Sequence, residues 1–183
     1  SRRIMSDRRV FLGFCALSLV SAAPPPEPPV VRVRLVTSAG SISVALDARR
    51  VPKTVANFLL YVDDGRFEGT EFYRTARRAS DPKLGFVQGG IGTDARRMLP
   101  ALPLEPTSRT GIRHLSGTIS MAHGIDPDSA NGNFSIMVGD NPSLDARPNT
   151  PGFAAFGKVI GGMDVVRRML AMPSGGGRGV MRG

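Results

Sequence analysis

Between residues 30 and 172 the chain breaks into short apolar runs of strand period, punctuated by Gly, Pro, Asp and Asn, and only two stretches carry helical spacing. Val31, Val33 and Leu35 alternate with Arg32, Arg34 and Val36, the period of a half-buried strand. Ser38-Ala39-Gly40 then turns the chain into a second run, Ser41 to Leu46, so the two predict a hairpin. Glu71 to Thr75, Phe86 to Gly89, Gly117 to Met121, Phe134 to Val138 and Ala154 to Ile160 read as further strands. One helix is expected from Pro52, where Val55, Phe58, Leu59 and Val62 fall on one stripe and Gly65 stops it. The other is expected where Met163, Val166, Met169 and Leu170 recur, ending before Pro173. Strand and helix do not alternate, which favours a mainly β antiparallel barrel or sandwich over a doubly wound sheet.

The rest of the chain organises around that domain. Residues 1–23 read as a secretory signal: arginines, the apolar run from Val10 to Ala23, then small residues Ser21-Ala22-Ala23. Arg8-Arg9-Val10-Phe11-Leu12 has the arginine pair and following Phe-Leu of a twin-arginine export signal, and the apolar run is short for a membrane span. Export to the periplasm or beyond is therefore expected, with no stable membrane insertion after cleavage. Residues 24–29 (PPPEPP) form a Pro-rich linker, 30–172 the folded domain and 173–183 a Gly-rich tail. Cys15 falls inside the signal, which leaves the mature chain without a disulfide. Of the net charge of +9, three units sit in the first 23 residues. The remainder is scattered in ones and twos without interleaved aromatics, which argues against nucleic-acid binding.

Motifs for other chemistries are weak. His114 and His123 lack cysteines or a fitting set of carboxylates, so no metal is expected. Asp126, Asp128 and Asn131 lack the closing glutamate of a calcium loop and read as a turn. The serines have no Gly-x-Ser-x-Gly elbow and no convincing His/Asp order, which argues against a serine hydrolase.

Several local strings, in order, carry a resemblance. Pro52-Lys53-Thr54-Val55-Ala56-Asn57-Phe58, Phe72-Tyr73-Arg74, Phe86-Val87-Gln88-Gly89-Gly90, Gly117-Thr118-Ile119-Ser120-Met121-Ala122, Asn133-Phe134-Ser135-Ile136 and Phe156-Gly157-Lys158-Val159 followed by Gly162-Met163-Asp164 together resemble the cyclophilin family over roughly residues 30–170. The resemblance implies an eight-stranded antiparallel β-barrel capped by two helices, with a last strand missing after the second helix. It also implies a peptidyl-prolyl cis/trans isomerase with a groove on the barrel's outer surface, acting on proline-containing polypeptides as a monomer without cofactors.

Arg74 and Gln88 are the catalytic residues the resemblance implies. Phe72, Phe86, Met121, Ala122, His123, Asn133, Phe134, Ser135, Leu144 and Phe153 are the substrate-binding candidates. The sequence departs from the family at the pocket. Ser135 stands where a floor aromatic is usual, Asn133 replaces a glutamine, Ser143 replaces Trp or Phe, His123 an Asn, and Phe153 a His or Tyr. An insertion lies between Arg74 and Gln88, and Gly85 falls where a pocket Phe is usual. The polar pair is kept while apolar contacts weaken, so the alternative is a proline-peptide binding module or chaperone with little or no turnover.

Overall fold

A computed structural model of the chain describes residues 30–173. The expected signal, the Pro-rich linker and residues 174–183 of the tail lie outside the described residues.

The expected hairpin forms from β1 (Val31–Thr37) and β2 (Gly40–Leu46), with Val33 opposite Val44 and Leu35 opposite Ile42. Helix α1 (Pro52–Asp63) follows, with Pro52 in its first turn. No side chain of its own caps it. The carboxylate of Glu105, from a distant loop and only 3% exposed, accepts from the Thr54 amide at 2.8 Å and the Thr54 hydroxyl at 2.7 Å. A negative charge at a helix N-terminus stabilises the helix and satisfies donors that have no intrahelical partner.

Two strands come out longer than the sequence suggests. β3 (Glu71–Arg78) and β4 (Asp81–Gly90) form one antiparallel hairpin, and the expected insertion is its far end, with Arg78 opposite Asp81. Charged residues hid this, because Arg77, Arg78, Asp81 and Lys83 break the apolar pattern on which strand reading depends. Arg77 donates to the carbonyls of Leu170 and Met172, and Arg78 to the carbonyl of Asp140, which ties the hairpin tip to its neighbours.

The short helix α2 (Thr107–Thr110) precedes β5 (Thr118–Met121). β6 (Asn133–Val138), β7 (Ala154–Gly161) and α3 (Met163–Ala171) complete the described strands and α-helices. The strands form a seven-stranded antiparallel sheet in the order β1-β2-β7-β5-β6-β4-β3. The eighth strand implied by the resemblance is not among the described residues. β1 and β3 are the edges, and between them lies a hollow of about 830 Å³ lined by Leu35, Phe67, Phe72, Thr75 and Met169 among others.

One face of the sheet is lined by apolar side chains. Phe58 of α1 sits among Phe67, Phe134 and Phe156 at centroid distances of 5.2–5.4 Å for the three pairs, and Phe72 meets Phe134 edge-on at 5.8 Å. Val166 and Leu170 of α3 join the same core. Each aromatic pair adds roughly 0.5–1.5 kcal/mol beyond its area, so this face holds the sheet's curl.

Candidate active site

Directly paired residues of neighbouring antiparallel strands project to the same face, so register alone places the candidate residues. Arg74 pairs with Gln88, Gln88 with Ser135, and Ser135 with Ser120. These four form a polar row across β3, β4, β6 and β5 on the face opposite the core. Phe86 pairs with Met137 and flanks the row on the same face.

Within the row, Arg74 Nη1 donates to Gln88 Oε1 at 3.2 Å, and the guanidinium carbon lies 5.6 Å from the centroid of the Phe86 ring. Gln88 and the aromatic face therefore hold the cation in one orientation. Arg74 Nε is buried and makes no hydrogen bond among the described residues, so one donor of the guanidinium is unused. Tyr73 is the extra residue at a register shift in β3 between Phe72 and Arg74. Its phenol is pushed up by burial, partly offset by the Gln88 amide and the Arg74 charge, and donates to Asn133 Oδ1 at 3.0 Å.

The remaining candidates lie on or beside loops. The chain around Pro142–Leu144 brings Leu144 beside Phe153, whose amide donates to the Leu144 carbonyl at 3.0 Å. Phe153 stacks on the His123 ring at 4.3 Å and 20°. His123 also bridges two carbonyls, with Nδ1 2.7 Å from Gly124 O and Nε2 2.8 Å from Gly152 O. Ala122 leads into it from the end of β5 and is half-buried.

Four expected substrate contacts need correction. Phe134 pairs with Gly89 and Met121 pairs with Phe134, so both project into the core, 4% and 1% exposed. Phe72, paired with Gly89, also faces inward and packs on Phe134. A one-residue offset in a strand changes the face, and each of these neighbours a residue of the outer row or the groove's rim. Asn133 does lie on the outer side, but the protein uses its whole amide: Oδ1 takes the Gly92 amide at 2.8 Å and the Tyr73 hydroxyl, and Nδ2 donates to Gly92 O and Asn131 Oδ1. It braces the loop after β4 and has nothing left for a substrate.

Gly85 has a physical reason for lacking a side chain. Its φ is +144°, and a Cβ there would lie 1.9 Å from the Ala76 carbonyl oxygen. No residue at 85 could supply an aromatic, and Phe86 supplies one on the groove face instead. Ser135, 8% exposed, leaves the floor beside it small and polar.

Sequence reading missed one arrangement altogether. The ring of His114, from the segment before β5, joins Ser120 to Asp145: Ser120 Oγ lies 2.8 Å from Nε2 and Asp145 Oδ1 2.7 Å from Nδ1. Burial holds the imidazole below its ordinary value against the pull of Asp145. Burial would raise the carboxyl of Asp145, but the hydrogen bonds from the His114 side chain and backbone outweigh it and hold the group below its usual range. The pair is therefore a neutral imidazole donating from Nδ1 to an ionised carboxylate, with Ser120 donating to Nε2. Ser120 is 2% exposed on a strand, so it cannot meet an acyl group despite its partners. No sequence spacing announces this chain, because Asp145 is 31 residues from His114.

Residues 32–181 match the family model described as cyclophilin type peptidyl-prolyl cis-trans isomerase/CLD. The chain belongs to the cyclophilin family. It is 37% identical over 169 residues to peptidyl-prolyl cis-trans isomerase A of Dickeya dadantii, covering 92% of this chain and 84% of that protein. It is 39% identical over 150 residues to a peptidyl-prolyl cis-trans isomerase of Streptomyces antibioticus, covering 80% and 87%. A cyclophilin-type isomerase of Cryptosporidium parvum shares the fold with a TM-score of 0.65 at 22% identity, over 80% of this chain and 87% of that one. A second structure of that protein was solved in the presence of the dipeptide Ala-Pro, with a TM-score of 0.64 and coverage of 79% and 87%. This cyclophilin is a peptidyl-prolyl cis-trans isomerase.

Proposed function

We propose that Arg74 is the catalytic residue of this isomerase, oriented by Gln88, and that Phe86, Leu144 and Phe153 receive the proline ring. Rotation about an Xaa-Pro bond must cross about 18–20 kcal/mol because twisting removes amide resonance. No bond to the substrate is needed, so the protein must hold the twisted state better than either planar one. In that state the proline nitrogen becomes pyramidal and regains its lone pair. A guanidinium fixed beside it donates a hydrogen bond that planar substrate cannot accept. A gain of about 3–4 kcal/mol from such preorganised charge amounts to two to three orders of magnitude in rate.

The observation that carries this reading is the Arg74–Gln88 hydrogen bond beside Phe86, with Arg74 Nε unpaired among the described residues. The Ala-Pro dipeptide used with the Cryptosporidium parvum relative supports proline-containing polypeptides as the substrate class. The arginine pair and apolar run of residues 1–23 support export, and with it a role in folding proteins of the cell envelope. One copy suffices, since every residue named lies on a single chain, and the chemistry asks for no metal, nucleotide or nucleic acid.

Ser135 favours a second reading, a proline-peptide binder on the same groove, because a small hydroxyl at the floor offers less apolar surface to a proline ring. Proline-limited refolding catalysed by the wild type and by Arg74→Ala separates the two. The isomerase reading expects acceleration that Arg74→Ala largely removes; equal rates at the uncatalysed value leave only binding. Fractionation of cells expressing the full chain tests export, and retention in the cytoplasm would refute it.

A further inference from the structure

We propose that His114 is a positioning residue for the isomerase, holding the Leu144–Phe153 wall of the groove in register with the Arg74 row. The inference rests on the reading of the groove given above. The wall is carried by a loop most of whose residues from 142 to 151 are exposed, so little apolar packing fixes it. Polar bonds to the segment before β5 do so instead. His114 makes three of them: its carbonyl accepts from the Asn141 amide at 2.7 Å, its own amide donates to Asp145 Oδ1 at 3.0 Å, and its ring bonds the same oxygen. The Ala146 amide adds a bond to Thr107 Oγ1 at 2.8 Å. Asp145 directly follows Leu144, so clamping the carboxylate sets where Leu144 and its partner Phe153 stand.

The other end of the imidazole fixes the clamp to the sheet. Ser120, which takes Nε2, lies opposite Ser135, which lies opposite Gln88, which holds Arg74. Four strands at about 4.8 Å spacing make this row roughly 14 Å long. The cation works at one end and the apolar wall is tethered at the other. A neutral ring with one donor and one acceptor suits the link, since it joins an acceptor-only carboxylate to a hydroxyl without placing a charge in the interior. Arg113, 3.6 Å from Asp145 Oδ2, balances the carboxylate from the solvent side.

A residue that positions the wall acts on substrate binding, while Arg74 acts on the twisted state. The test therefore separates KM from kcat for isomerisation of an Ala-Pro-containing peptide, and adds hydrogen exchange of the Phe153 amide. His114→Phe, which keeps a ring and loses both bonds, and Asp145→Leu are expected to raise KM roughly tenfold with kcat within about twofold, and to speed exchange at Phe153. Asp145→Asn keeps an oxygen acceptor and is expected to restore KM and exchange towards the wild type. Ser120→Ala cuts only the sheet end and is expected to give an intermediate KM. Should His114→Phe fail to fold, Asp145→Leu set against Asp145→Asn decides the matter.

Unchanged KM and unchanged Phe153 exchange in folded variants would overturn the proposal, as would a fall in kcat at constant KM. Arg74→Ala is run beside them. If it keeps the wild-type rate, the catalytic reading fails, while the exchange at Phe153 still reports whether His114 holds the wall.

Discussion

The two faces of strands β4, β5 and β6 are built from alternating residues of the same short segments, yet they are held in different ways. On the inner face Val87, Ile119, Met121, Phe134 and Ile136 are almost wholly buried and belong to one apolar cluster. On the outer face Ser120 and Ser135 are buried nearly as deeply, and Gln88 and Phe86 half so, but Ser120 bonds to His114 and Gln88 to Arg74. Burial alone does not tell the faces apart; the kind of partner does. The inner face needs shape and volume, which many apolar side chains supply. The outer face needs particular atoms at particular distances, and there a single replacement removes a function before it removes the fold.

The comparison breaks most visibly at Phe134 and Arg74. Phe134→Ala is expected to cost about 3–5 kcal/mol in denaturant unfolding, because it opens a cavity between Phe58, Phe67 and Phe72. Isomerisation per folded molecule should stay within about twofold of the wild type. Arg74→Ala should do the reverse, changing stability by less than about 1 kcal/mol and lowering kcat/KM by two to three orders of magnitude. If Phe134→Ala, measured where it is fully folded, lost activity on the scale of Arg74→Ala, the division between faces would be wrong.

The strand period made much of this visible beforehand. Val31 to Leu46, the α1 stripe around Phe58 and the second helix around Val166 were legible because each buries one side against the core, and burial of one side leaves a period in the sequence. The family strings single out Arg74 and Gln88, and the register pairs the two although it shifts just before Arg74. What was not legible depended on register or on distance along the chain. The resemblance implies Phe134 and Met121 as substrate contacts, whereas strand alternation sends them inward. The bonds of Asn133 to Gly92 and Tyr73 leave no local pattern, since those partners lie 41 and 60 residues away. Glu105 capping α1 and His114 joining Ser120 to Asp145 involve polar pairs of high sequence separation, for which no local pattern exists. The extension of β3 and β4 was hidden by charges that solvent tolerates on a hairpin tip.

A smaller effect sharpens the outer face itself. Phe86 offers the groove an aromatic surface that Gly85 cannot provide, and its ring also holds the Arg74 guanidinium. Phe86→Ala should weaken peptide binding about tenfold, read as KM, because it removes most of an apolar wall. Phe86→Leu keeps apolar volume without the ring and should recover much of the binding. Equal KM values in all three proteins would place the proline ring elsewhere.

The smallest effect is one of pH, and its sign follows from the pair at the end of the row. His114 is held below its ordinary value of 6.5, so from about that pH downwards the unfolded chain binds a proton that the folded protein refuses. Stability contributed by the neutral ring is complete above that range and declines as the pH falls towards the folded-state value. Asp145, held below 3.8, adds a second loss of the same sign at lower pH, when the unfolded carboxyl takes its proton first. Urea midpoints at about pH 7.5 and about pH 5 should therefore differ, with the lower midpoint in acid, and His114→Phe should narrow that difference. Asp47, Asp94 and Asp164 are also held low, but they titrate below this window. A gap between midpoints that His114→Phe leaves unchanged would mean that the ring carries its proton in the folded state too. Ser120 would then have to accept from Nε2, and the outer face would hold a buried charge where the inner face holds none.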